Sequence, residues 1–296
     1  MTLYTCAVDP ARVRAIDTHV HIQVDGTGRA ALPHEILRAM DEHFGSGAPT
    51  LDAEGTAAYF RERELAAVVF TVDATTALGH APNSIDDLVA RAADNADVLI
   101  PFGTVDPLQH ERAIDEAWRQ ANELGVRGFK FHPTVQNFDP SDAAHEPLFA
   151  ALEQIGLPIV VHTGQTGVGA GVAGGFGLRL RLSNPMLLDD VAARHPGLPI
   201  IFAHPSVPWQ DEAIAIATHK TNVRIDLSGW APKYFAPQLV RAFDSYLRHA
   251  FLFGSDFPAI TPDRWLREFD ALDLRDETRT AILHDNAVAL LGLRAP

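Results

Sequence analysis

The sequence predicts a single (β/α)₈ barrel, and three observations support this fold class. Short apolar runs rich in Val, Ile, Phe and Leu recur along the whole chain, each bounded by Gly, Pro or Asp. Helix-like segments separate these runs, and the runs begin about every 33 residues, which is the length of one βα unit. The apolar residues are continuous rather than alternating, which is typical of parallel strands that are buried on both faces.

Eight segments carry the strand pattern. They cover residues 15–21, 66–73, 99–106, 126–133, 158–164, 199–206, 223–229 and 250–258. A doubly wound open sheet is the competing architecture, but the Gly-rich phosphate loop that usually follows its first strand is absent. The chain shows no linker and no internal repeat, so we expect one domain over residues 1–296.

Helical segments alternate with the strands. They cover residues 84–95, 110–124, 146–155, 186–195, 210–219, 237–249, 263–272 and 276–291. Ser84 is a predicted N-cap and Gly125 a predicted C-terminal glycine. Two connections are long: residues 22–64, with helix-like pieces at 34–43 and 51–64, and the Gly-rich residues 165–184. Loops that follow barrel strands form the catalytic face, so we expect both insertions beside the substrate.

Composition and charge exclude several classes of protein. The 296 residues include 24 Lys and Arg against 38 Asp and Glu, which gives a formal net charge of −14. This balance argues against nucleic acid or an anionic membrane as partner, although a few local cations would still allow a small anionic substrate. The single cysteine, Cys6, excludes a disulfide framework, and no apolar run is long enough to span a bilayer. Without a signal-peptide pattern in residues 1–9, we expect a cytoplasmic protein.

The fourteen histidines include several at the predicted strand ends. His19 and His21 lie two residues apart on the first strand, so both side chains are expected to face the barrel interior. His162, His204 and Asp256 end the fifth, sixth and eighth strands. Three His and one Asp from this group suit Zn²⁺ or a similar first-row ion, which lowers the pKa of a bound water to about 7.

Each of these residues alone has an ordinary structural explanation. A single strand-end histidine is more often a hydrogen-bonded core residue than a ligand, and Asp256 alone is explained as a cap. All of them lie at the carboxyl ends of predicted strands, which favours a functional role over a structural one, because barrel enzymes have their active sites on that face. Ionisable groups buried there are costly without a metal or a partner.

At these residues the chain resembles the amidohydrolase superfamily of metal-dependent barrel enzymes, from Ile16 to Leu291. The run 202–205 (FAHP) and the run 252–258 (LFGSDFP) are similar to the branch that holds aminocarboxymuconate semialdehyde decarboxylase and resorcylate-type decarboxylases. The resemblance implies that one divalent ion, most often zinc, is bound by His19, His21, His162 and Asp256. It further implies an acid/base or water-orienting role for His204, a proton-transfer role for Asp256, and a homodimer.

Lys130 and His132 share one face of the fourth strand. In binuclear members of the superfamily a strand-4 lysine is carboxylated and bridges two metals, so the resemblance allows a second ion at Lys130. Two alternatives remain open: a cationic Lys130 that holds a substrate carboxylate or enolate, and a structural ion pair with an acidic neighbour.

Further candidates for the substrate pocket lie after strands five to seven. They are Gln165, Arg179, Arg181, Trp209 and Trp230. The two arginines suit an anionic group, and the two tryptophans suit a planar or aromatic substrate, although solvated loop charges and ordinary packing explain them equally well. Thr166, Lys233 and Tyr234 are weaker candidates, and His34 and His43 in the first long loop are held in reserve. Asp226 on the seventh strand either orients a ligand or pairs with Arg224 or Lys233.

We expect a metal-dependent hydrolase in which an activated water attacks a carbonyl-type substrate: a lactone, an acyl group or a β-keto C–C bond. A resemblance to aryl β-ketoacyl-CoA hydrolases of aromatic-acid catabolism supports this prediction. The alternative is non-oxidative decarboxylation of an aromatic or unsaturated acid, which uses the same ligands. A non-catalytic barrel is a third hypothesis, which the intact ligand set disfavours.

Overall fold

Eight parallel strands form the centre of the protein. The computed structural model describes residues 3–45 and 49–294, except for the side chain of Phe44. The strands are β1 Ala15–His21, β2 Leu65–Phe70, β3 Leu99–Pro101, β4 Phe129–Phe131, β5 Ile159–His162, β6 Ile200–Ala203, β7 Val223–Asp226 and β8 Phe251–Leu252. They pair in sequential order as β1–β2–β3 and as β4–β5–β6–β7–β8.

Hydrogen bonds join these two sheets at both of their edges. Between β3 and β4, the Lys130 amide donates to the Gly103 carbonyl at 2.8 Å. Between β8 and β1, the Thr18 amide donates to the Phe253 carbonyl at 2.9 Å, and parallel bridges form at both seams. The eight strands therefore form a closed ring, and the predicted barrel is confirmed.

Thirteen α-helices surround the strands in the described part of the chain. They are α1 His34–Phe44, α2 Ala53–Arg61, α3 Thr75–Leu78, α4 Ile85–Asp94, α5 Glu111–Arg119, α6 Pro133–Gln136, α7 Glu146–Ile155, α8 Asp189–Arg194, α9 Gln210–His219, α10 Pro237–Phe243, α11 Pro262–Asp270, α12 Asp276–Thr280 and α13 Asn286–Leu291. The π-helical turns Gln120–Leu124 and Ala281–Asp285 extend α5 and join α12 to α13. None of these described helices is long and apolar enough to cross a bilayer.

The strand residues alternate between two apolar layers. On β2, Ala66, Val68 and Phe70 belong to an inner cluster that includes Ile100, Val160, Ile201 and Leu252. Leu65, Ala67 and Val69 belong to the outer cluster, in which the strands pack against helix residues such as Phe60, Leu88 and Trp265. Both faces of the strands are buried, which explains why the sequence shows continuous apolar runs.

Most predicted strands are too long, and the prediction of 250–258 for β8 is wrong beyond Leu252. The extra residues turn out of the sheet and form loops held by side chains; for example, the Thr104 amide donates to Gln120 Oε1 at 3.0 Å. The predicted helix 51–64 also ends too late, because Glu64 has a positive φ of 55° and β2 begins at Leu65. The short helices α3 and α6 were not predicted.

Candidate metal centre

Three of the predicted donor atoms lie together at the carboxyl ends of β1 and β8. His19 is fully buried and the His21 side chain is 30% exposed; their Nε2 atoms are 3.3 Å apart. Asp256 Oδ1 lies 3.4 Å from His19 Nε2 and 3.2 Å from His21 Nε2. The backbone holds this arrangement, because the Asp256 amide donates to the His19 carbonyl at 3.0 Å across the β8–β1 seam. Two imidazole nitrogens and one carboxylate oxygen therefore converge on one point.

Two neighbours determine how His19 is protonated. Its Nδ1 lies 2.8 Å from Asp226 Oδ2, and a carboxylate oxygen can only accept, so the ring proton is on Nδ1. Its Nε2 lies 3.1 Å from Lys130 Nζ and therefore accepts from the ammonium. This carboxylate–histidine arrangement is the one that metal-binding proteins use to orient a ligand, since it leaves the Nε2 lone pair directed into the site.

A second chain of hydrogen bonds ends on the same carboxylate. The Ser228 hydroxyl donates to Asp226 Oδ1, and His204 Nδ1 donates to Ser228 Oγ at 2.8 Å. Because Nδ1 of neutral His204 carries the proton, its Nε2 accepts from His162 Nδ1 at 3.0 Å. Asp226 therefore determines the tautomers of three imidazoles.

The surroundings of His162 Nε2 indicate whether a metal fits this site. In the tautomer that the chain imposes, this atom carries a lone pair, and it is buried without a hydrogen-bond partner among the described residues. An unsatisfied buried nitrogen is costly, and a metal ion would satisfy it. The donor atoms of His19, His21 and Asp256 lie within 4.8 Å of one another, whereas His162 is outside that group. The residues fit a divalent ion, with His162 as the donor that stands farther away.

Electrostatics favour a bound cation and keep the histidines neutral. Burial and the nearby Lys130 ammonium lower the pKa of His19 to about 3. Burial alone would raise the pKa of Asp226, but its contacts with His19, His204 and Ser228 hold it well below its usual range. The pKa of Asp256 is lowered in the same way, by its hydrogen bond with His21 and by the other imidazoles. Two ionised carboxylates and neutral imidazoles are the states that a metal requires.

The backbone brings His204, Gly229 and Asp256 close together at the carboxyl ends of β6 to β8. His204 and Asp256 both have positive φ, of 71° and 69°, a conformation that is uncommon for residues other than glycine. A Cβ added to Gly229 would lie 2.5 Å from His204 Nδ1 and 3.2 Å from Asp256 Oδ2. Only glycine therefore leaves room for both side chains.

Lys130 and His132 both lie at this centre. Lys130 is fully buried, with Nζ 4.8 Å from the centre of the Phe70 ring, and burial lowers its pKa to about 8. It is therefore mostly a cation at neutral pH. The His132 ring stacks on the His162 ring, with 3.8 Å between centroids and 9° between planes.

The predicted substrate residues lie farther out. Gln165, Arg179 and Arg181 are exposed, and Arg179 donates to Asn137 Oδ1. Trp209 and Trp230 are half-buried in the loops after β6 and β7. None of these side chains contacts a donor atom of the centre in the described structure, so a substrate role for them stays a prediction.

The weaker candidates are also peripheral. Tyr234 is 64% exposed, and the Lys233 ammonium lies 5.0 Å from the centre of its ring. His34 and His43 are exposed on α1, where a Cβ on Gly171 would lie 3.0 Å from His43 Nδ1. The first long loop therefore reaches the loop that follows β5.

Sequence reasoning named Asp226 as a residue that either orients a ligand or forms an ion pair, and it did not identify Ser228 or Asp17. Like the other site residues, Asp226 lies at the carboxyl end of a strand, and this position is the sequence signal that points to a role in the site. Asp17 is fully buried; its Oδ1 accepts from the Ser255 and His19 amides, and burial raises its pKa to about 7. It supports the backbone that carries both His19 and Asp256.

Comparisons with known proteins agree with this architecture. An uncharacterised TIM-barrel protein, Bb4693, from Bordetella bronchiseptica is 20% identical, with a TM-score of 0.73 over 94% of this chain and 98% of that chain. A 2,6-dihydroxybenzoate decarboxylase complexed with 2,6-dihydroxybenzoate is 17% identical, with a TM-score of 0.67 over 95% and 100%. A manganese-bound dihydroxybenzoic acid decarboxylase from Polaromonas sp. JS666, with the inhibitor 2-nitroresorcinol, is 18% identical, with a TM-score of 0.64 over 95% and 97%.

At these identities the structural similarities establish the fold alone. No curated protein sequence matches the chain significantly. The family model described as amidohydrolase matches residues 16–293, which is nearly the whole chain and includes every donor of the centre. The resemblance seen in the strand-end residues is confirmed, and the chain belongs to the amidohydrolase family.

Proposed function

We propose that the protein is a metal-dependent decarboxylase of an aromatic hydroxy acid, with one divalent ion held by His19, His21, His162 and Asp256. The observation that carries this proposal is the buried Lys130 ammonium, 3.1 Å from His19 Nε2. Lys130 is mostly a cation at neutral pH, and its burial is costly. Once the His19 Nε2 lone pair binds the ion, the ammonium loses this acceptor and can bind an anionic group of the substrate.

The charges within the centre support an anionic substrate. With a divalent ion bound, the positive charges of the ion and Lys130 exceed the negative charges of Asp226 and Asp256 by one. The centre is therefore locally positive inside a chain whose net charge is −14. A carboxylate, or a carboxylate with a neighbouring phenolate oxygen, would balance this excess. This choice replaces hydrolysis, the first expectation from the sequence, with its stated alternative.

Each residue has a definite part in this reaction. When bound, the divalent ion would supply Lewis-acid charge stabilisation for the substrate oxygens. Lys130 would neutralise the substrate carboxylate until it leaves as CO₂. The proton that replaces it on the ring carbon would come from water and pass through Asp256, which is ionised at rest and would accept it first. The Asp256 side chain is 20% exposed and can take up this proton, whereas that of Asp226 is fully buried. His204, linked to His162 at 3.0 Å, would relay protons.

The structural neighbours add independent support to this choice. Two of those described above are decarboxylases of dihydroxybenzoic acids, and one of them carries manganese. The donor set also suits Zn²⁺, the ion expected from the sequence. The alternative to a single ion is a second ion bound by a carboxylated Lys130. The number of metal equivalents per chain distinguishes the two.

Hydrolysis is retained as the second candidate because one observation favours it. The pKa of Asp256 lies well below its usual range, so the carboxylate is ionised and able to accept a proton from water. The same residues would then serve a lactone or a β-ketoacyl thioester.

The test combines metal analysis with paired assays. Protein reconstituted with Zn²⁺ or Mn²⁺ is expected to hold one equivalent of metal and to release CO₂ from 2,6-dihydroxybenzoate or a related acid. His162→Ala and Asp256→Asn should abolish this activity, whereas His249→Ala, at an exposed histidine, should not. Hydrolysis of lactones or thioesters without any CO₂ release from the acids would overturn the proposal, and two equivalents of metal would overturn its single-ion centre.

A further inference from the structure

The Thr166 hydroxyl is an unusual polar group at the rim of the centre. Thr166 is half-buried and lies four residues after His162, where the long loop after β5 begins. Its Oγ1 lies 3.1 Å from the Val168 amide, which donates to it, and 3.2 Å from His132 Nε2. The direction of the second hydrogen bond depends on the tautomer of His132.

The fold determines that tautomer. His132 is the N-cap of α6, and its Nδ1 accepts a hydrogen bond from the Val135 amide at 3.4 Å. An Nδ1 that accepts carries no proton, so in the neutral imidazole the proton is on Nε2. His132 Nε2 therefore donates to Thr166 Oγ1.

Two donors thus occupy both lone pairs of the Thr166 hydroxyl oxygen. The hydroxyl hydrogen must point elsewhere, and within residues 3–45 and 49–294 no side chain or carbonyl accepts it. The Thr166 hydroxyl is therefore available to donate a hydrogen bond to a bound molecule or to water.

The position of this donor connects it to the site. The His132 ring that donates to Thr166 stacks on the His162 ring at 3.8 Å between centroids. Thr166 is accordingly separated from a proposed metal donor by one imidazole ring.

We propose that the Thr166 hydroxyl donates a hydrogen bond to a substrate oxygen that the metal does not hold, with His132 as the residue that positions it. The inference rests on the proposed function and specifies its substrate class: aromatic acids with an oxygen substituent beside the carboxylate. The interaction contributes to binding rather than to the chemical step, so it affects KM more than kcat.

The test compares Thr166→Val, which keeps the shape but removes the hydroxyl, with Thr166→Ser, which keeps the hydroxyl. The probes are 2-nitroresorcinol, titrated by its visible absorbance on the metal-loaded protein, and turnover of 2,6-dihydroxybenzoate. Thr166→Val is expected to weaken probe binding and raise KM by about 10- to 100-fold at nearly unchanged kcat, since a hydrogen bond to a charged acceptor has this strength. Thr166→Ser should restore most of the loss.

A matched control is Thr218→Val, which removes a hydroxyl that donates to the Ile214 carbonyl on α9 and should alter neither quantity. Equal binding by Thr166→Val and wild type, or an equal loss in both Thr166 variants, would overturn the inference while leaving the proposed function intact. Failure of the wild type to bind 2-nitroresorcinol and to turn over any such acid would instead overturn the proposed function, and the substrate class inferred here with it.

Discussion

Asp226 accepts hydrogen bonds from two chains of side chains and thereby sets the tautomers of His19, His204 and His162. His19 Nδ1 contacts one of its oxygens at 2.8 Å, and Ser228, which contacts His204, donates to the other. Asp226→Asn would keep the shape but place an amide where a carboxylate accepts. We expect metal affinity to fall by about 10- to 100-fold, as with other partners of metal ligands.

Asp285→Asn is the matched control, because Asp285 also contacts an imidazole Nδ1, that of His284, at 2.8 Å, but on the surface. Competition with a metal-sensitive dye measures both affinities. An affinity in Asp226→Asn within about twofold of wild type would show that the tautomers are set by something else.

Gly229 tests the crowding around His204. In Gly229→Ala the new Cβ would lie 2.5 Å from His204 Nδ1, so the ring or the backbone must move. We expect turnover of the substrate to fall by about 100-fold, because shifts of about 1 Å at a catalytic group have effects of this size.

Gly156→Ala isolates the backbone contribution to that effect. Gly156 has a similar φ of 75°, but a Cβ there meets nothing within 4 Å. Backbone strain should cost both variants about 1 kcal/mol of stability, measured by urea denaturation, and Gly229→Ala should lose more because of its contact with His204. Only Gly229→Ala should lose activity. Equal loss of activity in both variants would contradict the steric explanation.

At the scale of the element, the sequence predicted the existence and order of all eight strands but not their lengths. β1 has the predicted bounds and its residues are buried from Ala15 to Val20, whereas β8 stops after two residues, where residues 253–258 turn toward the site. The donors on these ends were predictable because each follows a strand. It was not predictable which side chains Asp226 orients, since this depends on its contacts with β1 and with the residue that follows β6, which no local pattern encodes.

The loop after β1 is tied to α4 by one carboxylate, which gives a pH-dependent prediction. Asp25 accepts from the Thr27 and Arg29 amides and, at 3.2 Å, from the amide of Ser84, the N-cap of α4. Burial alone would raise its pKa, but these hydrogen bonds lower it to about 2. Since the unfolded value is about 3.9, the stabilisation is present above about pH 4 and is lost as pH falls toward about 2.

Asp25→Asn should therefore destabilise the protein by about 1–2 kcal/mol at neutral pH. The difference in free energy of unfolding between variant and wild type should shrink by roughly half between about pH 5 and about pH 3. In that window the carboxylate of the unfolded chain, with a pKa of about 3.9, becomes protonated, whereas the native carboxylate stays mostly ionised. Chemical denaturation at several pH values measures it. A difference that does not change with pH would contradict the lowered pKa.

At the scale of the whole molecule, the proposed metal donors come from both sheets of the barrel. His19 and His21 are on β1, in the three-stranded sheet, whereas His162 and Asp256 follow β5 and β8 in the five-stranded one. The β8–β1 seam that joins the sheets holds only a few backbone hydrogen bonds, among them Thr18 to Phe253 and His21 to Phe257. An ion bound across this seam would link the two sheets directly.

Metal removal should therefore destabilise the entire barrel rather than one loop. A ligand that binds only the native state adds about 2.7 kcal/mol at a concentration one hundred times its Kd, which corresponds to a Tm shift of roughly 5 °C for a chain of this size. We expect a chelator to lower the Tm of wild type and of His249→Ala by this amount and to leave Asp256→Asn, which should already lack metal, unchanged. Calorimetry should show one transition before and after chelation, because the seam is part of a single closed ring. A Tm that is unaltered when the metal content falls to zero would place the ion outside this seam.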